Sequence, residues 1–404
     1  MPRWLIGLRL SGYGAAYFFA SGAFMSYWPV WLRDRGITDS EIGTLFMSRQ
    51  LVGVVSVLGI GFLAHRIGRL RGMLLALAVA AIAMMGVYQL SYTFVALLLI
   101  GLLWGCVWSP TMALYDGVLV NEARARGYVY GTLRVWGSVA FIAGTLICGV
   151  AVNRFGPPSV LYVGGLGVIC LLPFALILPR GEAHARGTDR HAPFGIVDLF
   201  RSRPFLLFMI GAGFCQSSHA VLYSFGTLTW RGAGIDDVTI SMLWGESVAV
   251  EILLMMASGW LMKRIGVTGL IGLGLACGIV RWTAMAFTTE LPALVLLQLL
   301  HAGTFAACHL GAMAFIQRAL PASGTALGQS LYYALGTGTA QAVIYQFAGV
   351  LYSEYGQRAF LGMTAISAAG LVALIALARL WTGELLVGGQ SRSNMTGPAP
   401  GPVA

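Results

Sequence analysis

Twelve apolar stretches follow one another along this chain, each long enough to cross a bilayer, and they leave few folds open. With a window of about 19 residues they read as 10–32, 41–64, 73–92, 93–119, 128–152, 158–179, 204–230, 238–262, 268–289, 291–317, 327–352 and 357–381. A helix of about 20 residues spans the hydrocarbon core, where backbone polar groups must be paired inside a helix or a closed barrel. The runs are continuous rather than alternating, so they predict helices. The chain is 58% hydrophobic and 10% charged, against about 25% charged in a soluble domain. The fold class expected is an all-α membrane protein with twelve transmembrane helices.

The formal net charge of +10 reads as topology, not as a nucleic-acid surface. With both termini cytoplasmic, seventeen of the 25 Lys and Arg fall inside and five (Arg33, Arg35, Arg154, Arg231 and Arg358) fall outside. That satisfies the positive-inside rule, and the reverse orientation violates it. The remaining three, Arg49, Arg134 and Arg281, lie within spans. The first stretch has no small-residue cleavage site and runs into Trp28, Pro29 and Trp31, so it is expected to be a spanning helix, not a leader. All six cysteines sit within spans without disulfide or metal spacing. No P-loop and no nucleophile beside a base is visible, so neither an enzyme nor a cofactor is expected.

The segment GFLAHRIGRLRG from Gly61 is echoed by GWLMKRIGVTG from Gly259, an offset of 198 residues. The same offset aligns Gly36-Ile37 with Gly234-Ile235 and Ile42 with Ile240. One displacement that carries outer loop, helix and inner loop together marks an internal repeat. Six spans per half make the repeat parallel, so two pseudo-symmetric six-helix bundles are expected at 1–180 and 204–384. Residues 181–203, with His184 and His191, read as a cytoplasmic linker, and 385–404 as a disordered tail.

The loop GFLAHRIGRLRG, with Gly61, His65, Arg66, Gly68 and Arg69, resembles the gating loop between the second and third helices of major facilitator superfamily transporters. The acidic residue usual in that motif is His65 here, so its salt bridge is not expected. The resemblance implies the major facilitator fold and a monomer working in a bacterial-type inner membrane.

A carboxylate at bilayer depth costs at least ~2.5 kcal/mol, so charges within spans point to function. The eighth span, LWGESVAVEILLMMASGW, carries Glu246 and Glu251. Five residues apart is about 140° around a helix, so the two face different surroundings. Glu251 is the deeper and the better proton site; Glu246 reads as a gate or substrate contact. Arg281 is expected to pair with Glu251, with His301 and His309 as relays. Asp116 and Arg134 fall at similar depth on neighbouring helices. They read either as a structural ion pair or as a substrate site in which Arg134 binds a carboxylate or hydroxyl. Tyr13 and Tyr17 share one helix face, and His219 and Tyr223 another. With Trp108 they offer ring surface to a cavity, while Trp28 and Trp31 read as an interfacial belt.

Asp116 and Arg134 resemble the helix-four acid and helix-five arginine that bind sugar in lactose permease. Arg281, His301 and Glu251 resemble its helix-nine arginine, helix-ten histidine and helix-eight glutamate. Lactose permease places its proton-carrying glutamate one turn after that histidine; this chain has Thr304 there, so the proton site is expected elsewhere, at Glu251 in preference to Glu246. The segments YGTLRVWGSVAF, LWGESVAVE, GIVRW and HAGTFAACHLGAM are similar to the phenylpropionate permease branch of the superfamily. The resemblance implies a proton symporter of a small organic solute such as an aromatic carboxylic acid. Sugar or nucleoside symport, drug/proton antiport and solute sensing without transport remain open.

Overall fold

The computed structural model describes residues 3–179 and 194–387. The first half contains α1 (Arg3–Asp34), α2 (Asp39–Ile67), α3 (Leu70–Gln89), α4 (Phe94–Arg126), α5 (Tyr130–Phe155) and α6 (Ser159–Ile177). A short α7 (Ile196–Arg201) precedes α8 (Arg203–Gly232), α9 (Asp237–Met256), α10 (Ser258–Met285) and α11 (Leu291–Ala319). Then come α12, over 325–355, and α13 (Phe360–Leu380). Ten stretches are long and apolar enough to cross a membrane; one, 325–380, holds two helices, and the 32-residue α1 completes twelve. The expected all-helical fold with two six-helix bundles is the one observed.

The glycines separated by 198 residues share a positive φ, although Gly68 and Gly266 differ in ψ, 5° against −172°. Gly36 and Gly234 have φ of 79° and 86°, and Gly68 and Gly266 both have φ of 68°. Positive φ is available to glycine at little steric cost, so the turns at both faces recur once per bundle. The helix after each outer turn is capped alike, by the side chains of Thr38 and Asp236.

Three differences from the sequence reading have local causes. The gap between the spans expected at 93–119 and 128–152 is the helical end of α4, where Arg126 pairs with Glu122 at 2.7 Å and Gly127, at φ 68°, ends the helix. Residues 196–201 of the expected linker form α7, anchored by the buried Leu199; His184 and His191 lie outside the described residues. The tail is docked as far as Val387: the Leu386 amide donates to the Ala319 carbonyl at 2.8 Å, and Trp381 Nε1 to the Glu384 carbonyl at 2.8 Å.

Within the first bundle α1 packs on α5 and α6, and α2 on α4; within the second, α10 packs on α11 and α13, and α8 on α13. The bundles meet along α2 against α12 and α5 against α9. Both seams are tight at the end away from the chain termini. A Cβ on Gly43 would lie 2.9 Å from the Gly349 Cα, and one on Gly149 would lie 2.6 Å from the Asp237 carbonyl. Small residues allow this approach. Hydrogen bonds cross the same end, from Thr44 to Gln346 at 3.0 Å and from Thr227 to the Ser26 carbonyl at 2.6 Å. Nearer the terminal face a cavity of about 250 Å³, lined by Gln50, Val54, Ser109, Ser330 and Tyr333, separates α2 and α4 from α12.

Candidate functional site

The polar centre of the second bundle is built around Arg281, which is 0% exposed. Its Nη1 donates to His301 Nδ1 at 3.0 Å and to Thr304 Oγ1 at 3.1 Å, and its Nη2 donates to Gln298 Oε1. Gln298 passes the link on, donating to the Leu243 carbonyl of α9 at 3.0 Å. The Trp282 ring lies 4.7 Å from the guanidinium carbon, a cation–π contact. A π-turn over Ala302–Ala307 begins just after His301; such one-residue expansions recur at functional sites. The expected contact between Arg281 and Glu251 is not made. Neutral acceptors on α11 reach the guanidinium first, and an imidazole stands between the two charges.

These partners fix where the protons sit. An arginine only donates, so His301 Nδ1 must accept and be unprotonated. Its proton is on Nε2, which faces Glu251 Oε2 at 3.9 Å. His219 has the opposite form: Nδ1 lies 3.0 Å from the Gln216 carbonyl, which only accepts, so Nδ1 carries the proton. In the neutral ring Nε2 then accepts from the Thr304 hydroxyl at 3.0 Å. Thr304 thus takes a hydrogen bond from Arg281 and gives one to His219. Tyr223 stacks on His219 with ring centres 5.3 Å apart.

Glu251 projects from α9 toward the seam between bundles, its side chain 18% exposed. The Arg134 guanidinium of α5 is within electrostatic reach of it from across that seam. Arg134 does not touch Asp116. Its Cζ lies 3.9 Å over the Phe18 ring, and Asp116 accepts from the Tyr130 hydroxyl at 3.2 Å. Tyr130 stands between the two charges, so the expected direct ion pair is replaced by a bridged one. Glu246 is half-buried and makes no hydrogen bond or ion pair among the described residues. Phe305 stacks between the imidazoles of His301 and His309, 5.5 Å from the first and 6.5 Å from the second, and a phenyl ring passes no proton, so the path expected through His309 is interrupted.

In the first bundle Tyr17 stacks on Trp108 at 4.3 Å and Trp108 on Trp104 at 4.8 Å, nearly parallel at 14° and 17°. Tyr13 is not part of this ladder. It is 0% exposed and stacks on Tyr115 at 5.2 Å, which makes it core. Trp28 and Trp31 are no lipid-facing belt either; they are buried and stacked at 4.6 Å beneath the sealed end. The loop motif forms the turn between α2 and α3. Gly68 closes α2 with its amide on the Ala64 carbonyl at 2.9 Å, Gly61 has open space around it, and Arg66 and Arg69 are exposed. The His65 side chain lies outside the described residues. Gln298, Phe18 and Tyr130 were not legible as site residues, although Gln298 stands one helical turn before His301 and so shares its face.

Residues 8–362 match a family model described as the MFS_1 like family. A curated protein of Escherichia coli (strain K12), "Probable 3-phenylpropionic acid transporter", is 31% identical over 87% of this chain and 92% of its own length. "Raffinose permease" of Escherichia coli is 23% identical over 87% of each chain. Among solved structures, that of the nucleoside transporter NupG superposes with a TM-score of 0.81 over 93% of this chain and 99% of its own, at 16% identity, a likeness of fold. Matched over most of its length by the family model and by permease relatives, the chain belongs to the MFS_1 like family of major facilitator transporters.

Proposed function

We propose that this transporter is a proton symporter importing a small aromatic carboxylic acid of the 3-phenylpropionate type by alternating access. The observation that carries it is the order Arg281, His301, Glu251. Arg281 holds one imidazole nitrogen, and the other faces the carboxylate. His301 takes no second proton without releasing Arg281, so an incoming proton goes to Glu251. Ionised Glu251 supplies a counter-charge across the imidazole. Its protonation leaves a buried cation uncompensated, which is costly, and favours movement of α9 against α10 and α11.

On the substrate side, the Arg134 guanidinium can present two parallel donors to a carboxylate, with Asp116 and Tyr130 positioning it. The Tyr17 and Trp108 rings, with Tyr223 opposite, supply faces for an aromatic ring. The relative at 31% identity, named for 3-phenylpropionic acid, supports the substrate class. The protein works as a monomer, with both termini cytoplasmic, in a bacterial-type inner membrane. Its substrate passes between the bundles of residues 1–180 and 204–384.

The test is the pH of a weakly buffered suspension of de-energised cells expressing the protein. A pulse of 3-phenylpropionate should produce transient alkalinisation, while lactose and a nucleoside should not. A response to the sugar or nucleoside alone would refute the aromatic-acid substrate. Silence with all three would refute symport of any of them.

A further inference from the structure

Of the three arginines within spans, two are accounted for. Arg281 has three acceptors, and Arg134 has Asp116 and Glu251 within electrostatic reach. Arg49, in α2, has neither. Among the described residues it makes no hydrogen bond and no ion pair, and its close ring contact is Phe46, 5.5 Å from its Cζ. An uncompensated cation at membrane depth is expensive and marks a place where an anion is received. Its surroundings are aromatic. Arg49 lines two small voids of about 10 Å³ each, one bounded by Trp28, Phe46, Tyr88 and Leu97, the other by Phe24, Trp28, Tyr88 and Trp104. Each holds about one water at most, so the site is shut in the conformation whose outer seams are sealed.

Position supplies the second strand. Arg49 stands ten residues from the start of α2, about 15 Å from the sealed end at 1.5 Å per residue. Arg134 stands four residues from the opposite end of α5, about 6 Å from the terminal face. Tyr17 is within electrostatic reach of both arginines. Its ring is one rung of the Tyr17, Trp108, Trp104 ladder, and Trp104 also borders one of the two Arg49 voids.

We infer that Arg49 is the outer carboxylate station of the transport path, which receives the substrate anion before it passes along the aromatic ladder to Arg134. This rests on the aromatic-acid reading above. In the outward-open state the voids merge and Arg49 holds the carboxylate while the ring lies against Trp104. Closure of Trp28 and Tyr88 over Arg49 collapses that site and drives the anion inward. Arg49 governs affinity only at the outer face.

The test compares uptake of radiolabelled 3-phenylpropionate into intact cells, which present the outer face, with uptake into everted vesicles, which present the other. R49Q should raise KM in cells at least about 10-fold, the loss of a charge-assisted hydrogen bond, and leave KM in everted vesicles within about 2-fold. L97D should raise the same KM by a different route, because a carboxylate at the wall of the Arg49 void occupies the guanidinium itself. Equal changes at both faces, or an unchanged cell KM in whichever of the two variants reaches the membrane, would overturn the inference. A wild type that takes up no aromatic acid in either preparation would overturn the substrate class beneath it instead.

Discussion

Thr304 joins Arg281 to His219 by hydrogen bonds, and replacing it with valine removes the hydroxyl while keeping the shape. Two hydrogen bonds to other side chains go with it: the one accepted from Arg281 Nη1 at 3.1 Å and the one given to His219 Nε2 at 3.0 Å. Both partners are 0% exposed, so no bulk water replaces the lost group. A hydrogen bond to a charged group contributes about 1.5–3 kcal/mol and a neutral one about 0.5–1.5 kcal/mol, so T304V should cost roughly 2–4 kcal/mol. That is a large share of a typical net stability of about 5–15 kcal/mol. At roughly 2 °C per kcal/mol for a chain of this size, the midpoint of thermal unfolding in detergent should fall by about 4–8 °C. T304S, which keeps the hydroxyl, should recover most of that. A T304V midpoint within about 1 °C of the wild type would refute the bridge and the His219 tautomer assigned from it.

Three further perturbations test other parts of the structure. G43V should wedge α2 from α12, because a Cβ there meets the Tyr345 carbonyl at 2.7 Å; labelling of a cysteine placed at Ser353 by an impermeant thiol reagent should rise, and unchanged labelling would contradict the sealed seam. G266A should destabilise more than G68A in the same melting assay. Gly266 has φ 68° and ψ −172°, a region essentially closed to other residues, whereas Gly68, at ψ 5°, is in ordinary left-handed helical space; equal costs would count against the backbone assigned at Gly266. Hydrogen bonds from the Thr239 hydroxyl and amide hold the Asp236 carboxyl, at the cap of α9, below the usual carboxylate range. The cap therefore contributes fully above the ordinary pKa near 3.9 and is lost as pH falls through the lowered value. D236A should cost about 1 kcal/mol at pH 7 and less at pH 3, and a pH-independent difference would contradict the assignment.

The spans, the repeat and its glycines were legible because each follows from a period or an offset along one strand of sequence. The site was legible in part. Glu251, Arg281 and His301 were recognisable as charged or imidazole groups at membrane depth, but their contacts were not. The sequence logic matched charge with charge and paired Arg281 with Glu251. The guanidinium instead meets Gln298, His301 and Thr304 through its two terminal nitrogens, because donors in a planar fork pair with neutral acceptors when helix faces present them. Which faces meet depends on rotation about each helix axis. The π-turns over Leu222–Gly226, Ala302–Ala307 and Tyr332–Thr339 change that rotation without any mark in the periodicity. Asp116 and Arg134 teach the same lesson: their depth was right, but the intervening Tyr130 and the Phe18 ring lie on faces that spacing alone does not resolve. Tyr13 and Tyr17 share a helix face, yet one packs into core and the other stacks on Trp108, since a single helix meets different neighbours along its length.

The most direct measurement is made in proteoliposomes on E251Q, a substitution that keeps the shape of the side chain and fixes it in the uncharged form. Counterflow exchange of labelled 3-phenylpropionate and accumulation driven by an imposed pH gradient should be read on the same preparation. If Glu251 carries the proton, the variant exchanges substrate at a rate comparable with the wild type and accumulates none against its gradient. Accumulation at the wild-type level by E251Q would contradict that role and move the coupled proton to another group.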